Sequence, residues 1–100
     1  MNLAPGELAY QDPDAALVYV FDWRAWLGDA TIASSTFIIT GPDGGLVQDT
    51  AGVLADNQQT RVRISKGTVG ETYDVINRIV TGETPPQTDD RSLRLKIIDN

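Results

Sequence analysis

The segment VFDWRAWLGD, from Val20 to Asp29, sets Trp23 and Trp26 three residues apart beside Asp22, Arg24 and Asp29. Aromatic rings next to carboxylates can stack on a sugar, line the lip of an active site, or begin an ordinary core. Other acid–base or metal chemistry would have to rest on carboxylates. The chain has no histidine and no cysteine, which removes the commonest general base, the usual zinc ligand, thiolate nucleophiles and disulfides. A Ser-His-Asp triad is impossible. Glu7, Glu71, Glu83 and most aspartates fall in turns or near the N-terminus. A glycosidase needs two carboxyl groups held across a cleft, and no spacing here specifies one. QDPDAA and PDGG lack the alternating oxygen ligands and closing glutamate of a calcium loop. Asp12 before Pro13 and Asp43 before Gly44 read as turn formers. The expectation is no catalytic residue, no metal, no cofactor and no enzymatic activity.

The elements that position these residues have the period of strands. In RSLRLKI, Leu93, Leu95 and Ile97 alternate with Ser92, Arg94 and Lys96; TRVRIS sets Val62 and Ile64 against Arg61, Arg63 and Ser65. TYDVINRIV puts Tyr73, Val75, Asn77 and Ile79 on one face, and LVYVFDW does the same with Leu17, Tyr19, Phe21 and Trp23. Such alternation marks half-buried strands. Ile32 and Phe37 are an odd number apart, so if both are core, a bulge at Ala33–Ser35 must absorb one residue. Leu46 to Leu54 is a weaker segment. GPDGG, KGTVGE and TGETPPQTDD are turns, and Pro85-Pro86 cannot sit in a central strand. No helix is expected beyond a turn near Asp12 to Ala16. Five clear strands and one or two weak ones point to a single antiparallel β-sandwich over residues 12–100, of immunoglobulin or fibronectin type III character. An extended arm over residues 1–11 precedes it.

In that frame Trp23 is core and Trp26 a lid over the end of the sandwich. Phe37, Tyr73, Leu93 and Leu95 complete the central core set. Tyr73, just after a glycine-containing turn, has the position of a tyrosine corner whose hydroxyl bonds to upstream backbone. Asn77 on a core face must be hydrogen-bonded, and a neighbouring turn is the expected partner. Val18, Val20, Ile38, Ile76, Val80 and Ile98 are out of phase with the core; they are either scattered surface aliphatics or a patch covered by another subunit. Leu3, Leu8 and Tyr10 make the arm apolar enough to lie across a neighbour. Pro85 and Pro86 mark the second exposed element expected to make contact.

Eight basic and fourteen acidic residues give a net charge of −6. That balance disfavours phosphate backbones and anionic membranes, so neither nucleic acid nor membrane is expected as a partner. The start MNLAPGELAY has no export signal, and no apolar run approaches membrane-spanning length. An assembly module fits better than a free catalyst. Alternatives are a carbohydrate- or surface-binding module using Trp26 and Tyr10, and a capsid decoration or tail-tube domain.

The segments QDPDAALVYVFDWRAWLGDATIASSTF, KGTVGETYDVINRIVT and TDDRSLRLKI carry a resemblance. Their Asp-Pro-Asp entry, Asp-Trp and second Trp-Leu, Gly-x-x-Gly-Glu-x-Tyr turn and Asp-Asp-Arg-Ser strand resemble the phage fiber-tail adaptor family over most of residues 11–98. The resemblance implies a non-catalytic Ig-like virion protein, made in the bacterial cytoplasm and located in the phage tail. Its partners would be fiber, tail or neck proteins and copies of itself.

Overall fold

A computed structural model of the chain describes residues 2–3 and 8–99, with side chains placed from 8 to 99. The described residues are all-β apart from one helical turn, with 61% in strands. The elements are β1 (Asn2–Leu3), β2 (Leu8–Gln11), β3 (Ala16–Asp22), α1 (Arg24–Leu27), β4 (Ile32–Thr40), β5 (Leu46–Val53), β6 (Gln59–Lys66), β7 (Thr72–Thr81) and β8 (Thr88–Ile97). They form two four-stranded sheets, ordered β1-β3-β6-β5 and β2-β8-β7-β4. The sheets enclose one core that includes Tyr19, Phe21, Trp23, Val62 and Ile64 from one side and Phe37, Tyr73, Val75, Ile79, Leu93, Leu95 and Ile97 from the other. Burying these faces is the dominant stabilising term, at about 25 cal/mol per Å2 of apolar surface.

The alternation of β6, β7 and β8 is the one the sequence specifies: side chains two apart share a face, so charge stays outside and aliphatics meet between the sheets. The β4/β7 register shifts between Ile32 and Ser34, inside the expected stretch, and both Ile32 and Phe37 are buried. The weak segment is β5, which carries its own irregularity between Asp49 and Gly52.

Four expectations need correction. The pairing is not purely antiparallel, because β1 runs parallel to β3 and β2 parallel to β8. Leu17 keeps the inward phase of β3 but is 39% exposed. It lies toward the start of β3, whereas β1 is paired only with Val20 and Phe21 and gives it no lateral cover. Arg24–Leu27 is an α-turn, closed by Leu27 N–H donating to the Trp23 carbonyl at 2.9 Å. One turn is too short to show a helical period. Finally, Asn77 bonds within the core rather than to a turn.

Residues 8–11, read from the sequence as the end of an arm, are a strand of the second sheet. Gln11 fixes them. Its amide, 2% exposed, donates to the Ile64 carbonyl at 2.8 Å and the Ala15 carbonyl at 3.2 Å, and its carbonyl accepts from the Tyr19 hydroxyl at 2.6 Å. Ile64 and Tyr19 belong to the first sheet, so one side chain ties β2 across the core. Burial raises the Tyr19 hydroxyl above its ordinary pKa and keeps it a donor. Gln11→Ala is expected to cost about 1–3 kcal/mol, because buried groups lose their partners. Urea unfolding measures the loss; hydrogen exchange at Leu8–Gln11 should rise before that of β7.

Candidate interaction surface

The tryptophan pair serves the fold. Trp23 is fully buried and its indole N–H donates to Asn77 Oδ1 at 2.9 Å. The Arg91 guanidinium lies 4.3 Å from the Trp23 ring centroid and donates to the Asp22 carbonyl at 2.7 Å. Trp26 meets Trp23 edge-on at 5.7 Å and is 37% exposed, so it caps the core end while keeping one surface open. Around it, the Gln58 side-chain amide donates to the carbonyls of Gly28 and Ala30, and its backbone carbonyl receives the Trp23 backbone N–H. This loop hub has no local sequence signal.

At the opposite end, the Tyr73 hydroxyl accepts from the Thr68 N–H at 3.0 Å, the expected upstream bond, and also donates to Asp43 Oδ1 at 2.6 Å. Asp43 further accepts from Thr68 Oγ1 and the Gly45 N–H. Gly41 passes so close to the Tyr73 ring that a Cβ there would collide with it. Gly67 (φ +97°) sits with its would-be Cβ 2.7 Å from Ile97 Cγ1, a place only glycine fits. The bond from Tyr73, then those from Gly45 and Thr68, hold the Asp43 carboxyl below its ordinary pKa. A group with its folded pKa depressed contributes stability above its unfolded value, near 4, and loses it as pH falls through the folded value. Asp43→Asn is therefore expected to flatten the acid limb of a stability-versus-pH curve below about pH 4. Urea midpoints of both proteins across that range check it.

The carboxylates are spread over the molecule, and several are engaged. Asp22, Asp49, Asp74 and Asp90 pair with Arg24, Arg63, Arg94 and Arg78 at 2.7–3.2 Å on exposed surfaces. Asp12 and Asp56 accept backbone N–H groups in turns. Among the described residues no group of acidic side chains is placed to hold a metal ion, and no helix is long and apolar enough to cross a membrane.

The residues singled out for contact do not form one patch. Val18 (43% exposed) and half-buried Val20 stand on the outer face of the first sheet, beside Arg63 and Arg61. Half-buried Ile76 and Val80 stand on the outer face of the second sheet, with Ile38 opposite Ile76. Pro85 and Pro86 are exposed in the loop between β7 and β8. The side chain of Leu3 and the residues Met1 and Ala4 to Glu7 lie outside those described. Leu8 and Tyr10 are 45% and 57% exposed at the edge of the second sheet.

There the parallel register sets Leu8 beside Arg94 and Tyr10 beside Lys96, and the β7/β8 register adds Asp74 and Thr72. These six residues line an open hollow of about 500 Å3. The alternation of β8 already turned Arg94 and Lys96 outward; what the sequence lacked was the β2 pairing that brings two apolar side chains alongside them. A second hollow of about 380 Å3, lined by Asp29, Ala30, Thr31, Gly82 and Glu83, lies at the end that carries α1.

Two packed sheets, with their few buried polar side chains held in structural hydrogen bonds and with open faces, edges and loops outside, make an all-β structural domain. The family model described as podophage GP4 fiber-tail adaptor protein gp77 matches residues 11–96. The chain belongs to this family and is a structural component of the phage tail. No curated protein matches it.

Proposed function

We propose that this protein is a non-catalytic adaptor that joins a tail fiber to the tail or neck through protein–protein contacts, in several copies per particle. The observation that carries this reading is the family match across residues 11–96. The fold is consistent with it. The two sheets are best described as an Ig-like sandwich whose bulk is residues 12–100 and whose edges are completed by β1 and β2, with the tyrosine-corner bond at Tyr73 as a supporting feature. Leu8–Gln11, the end of the arm proposed over residues 1–11, adds to it as an edge strand.

Contacts are proposed to use Leu3, Leu8 and Tyr10 of the arm, the aliphatics Val18, Val20, Ile76 and Val80, and the Pro85-Pro86 loop. Partners are other virion proteins and copies of this chain. The net charge of −6 supports the exclusion of nucleic acid and membrane from that set.

The test is to assemble particles from a phage lacking this gene and to supply the purified protein afterwards. The expected result is tails without fibers, to which fibers attach once the protein is added. Fully fibered, infectious particles made without it would overturn the reading. Copy number per particle separates a tail adaptor from a capsid decoration protein.

A further inference from the structure

The outer edge of the second sheet differs from the rest of the surface. β2 is the edge strand, and among the described residues no strand pairs on its outer side. Its N–H and C=O groups on that side form a template for another extended chain. The side chains facing outward beside it combine two properties. Leu8 and Tyr10 are the apolar part, 45% and 57% exposed at adjacent outward positions. Arg94 and Lys96 are the basic part, directly alongside in register.

The two bases differ in what they already hold. Arg94 is paired with Asp74 at 3.2 Å. Lys96 has Thr72 opposite it and no described carboxylate within ion-pair distance. The Lys96 ammonium, between Thr72 and Tyr10 beside a hollow of about 500 Å3, has no ion-pair partner among the described residues, in a chain with fourteen acidic residues and eight basic ones.

We infer that this hollow is a docking site for an extended segment of a partner protein that presents a carboxylate and, two residues away, an aliphatic side chain. The segment adds to the open edge of β2, its carboxylate meets the Lys96 ammonium, and its aliphatic group packs on Leu8 and Tyr10. Alternate residues of a strand share one face, so a carboxylate and an aliphatic side chain two positions apart both turn toward the hollow. The inference deepens the adaptor reading and rests on it, since it supplies the chemistry of one of the contacts that reading requires.

The experiment is an NMR titration of the full chain, isotopically labelled, with the capped peptide TLTETVT and its glutamine counterpart TLTQTVT. The expected result is shift changes confined to Leu8–Gln11, Thr72, Asp74, Arg94 and Lys96. Binding of the glutamine peptide should be about threefold to fivefold weaker, the size of one exposed ion pair. Lys96→Glu and Tyr10→Ser, both at the surface, should each weaken the glutamate peptide, while Arg61→Glu on the opposite sheet leaves it unchanged. Absent shifts at these residues, equal affinity of the two peptides, or retained affinity in Lys96→Glu would overturn the inference. So would concentration-dependent shifts of the same residues without peptide, which would assign the edge to a second copy. Fiber attachment to fiberless tails is scored separately. A chain that attaches fibers but ignores the peptide fails only the inference; one that binds the peptide but attaches no fiber fails the adaptor reading.

Discussion

Asn77→Ala is expected to destabilise the protein by about 3–5 kcal/mol, a large share of the 5–15 kcal/mol typical of a domain this size. Asn77 is fully buried in β7 and all its hydrogen-bonding capacity is used. Its carbonyl oxygen accepts from the indole of Trp23, just past β3, at 2.9 Å and from the hydroxyl of Thr60, on β6, at 2.7 Å. Its amide donates to Ser35 Oγ at 2.9 Å and the Thr36 carbonyl at 3.2 Å on β4. Truncation strands the buried indole N–H and Thr60 hydroxyl without a partner, each worth about 1–3 kcal/mol, and adds a small cavity. Urea denaturation with unchanged slope checks the value. Making Asn77→Leu in a Trp23→Phe, Thr60→Val background should cost markedly less than Asn77→Leu alone, because no stranded donor is left. A loss below about 1 kcal/mol for Asn77→Ala would mean that water or local movement satisfies those donors.

Trp23→Ala is the second large effect, also about 3–5 kcal/mol, the usual range for removing a buried tryptophan. The cause is different. Here the cost is chiefly a cavity at the end of the sandwich, where the ring supports Trp26 edge-on and lies under the Arg91 guanidinium. The remaining Trp26, already 37% exposed, should show red-shifted emission, and Arg91 loses the face it covers. Since Trp23 and Asn77 share a hydrogen bond, their losses should not add. The double variant should fall short of the sum by about 1–2 kcal/mol. Strict additivity would show that the indole–amide bond contributes nothing beyond packing.

Both predictions concern residues whose burial is legible from period alone. Trp23 continues the phase of Tyr19 and Phe21, and Asn77 that of Tyr73 and Val75, because side-chain direction in a strand is fixed by local geometry. For the same reason the bulge near Ala33–Ser35 and the bond from Tyr73 to the turn just before it follow from a few adjacent residues. Asn77's partners do not. Trp23 is 54 residues away and Ser35 is 42 away, so their meeting depends on how the two sheets stack. The Asp43 carboxylate under the Tyr73 hydroxyl, 30 residues distant, was hidden for the same reason.

The surface divides similarly. Val18, Val20, Ile76 and Val80 can be named from phase, yet phase does not say which outer face each one joins. The sandwich puts Val18 and Val20 on one side and Ile76 and Val80 on the other, so a single aliphatic patch does not exist. LAYQ is too short for its alternation to identify a strand, and its ladder partner, β8, is at the other end of the chain. Only that parallel pairing sets Leu8 and Tyr10 against Arg94 and Lys96.

By itself, then, the sequence determined the strand periods, the turns, the apolar inventory of the core, the lack of imidazole and thiol chemistry, and the resemblance that names the family. Those properties reside in single residues or in neighbours within a few positions. The tertiary structure decided the sheet order, the parallel first strands, the polar network on Asn77 and the composition of each outer face. These depend on contacts between distant segments, whose formation reflects the combined burial of both sheets rather than the preference of any one stretch.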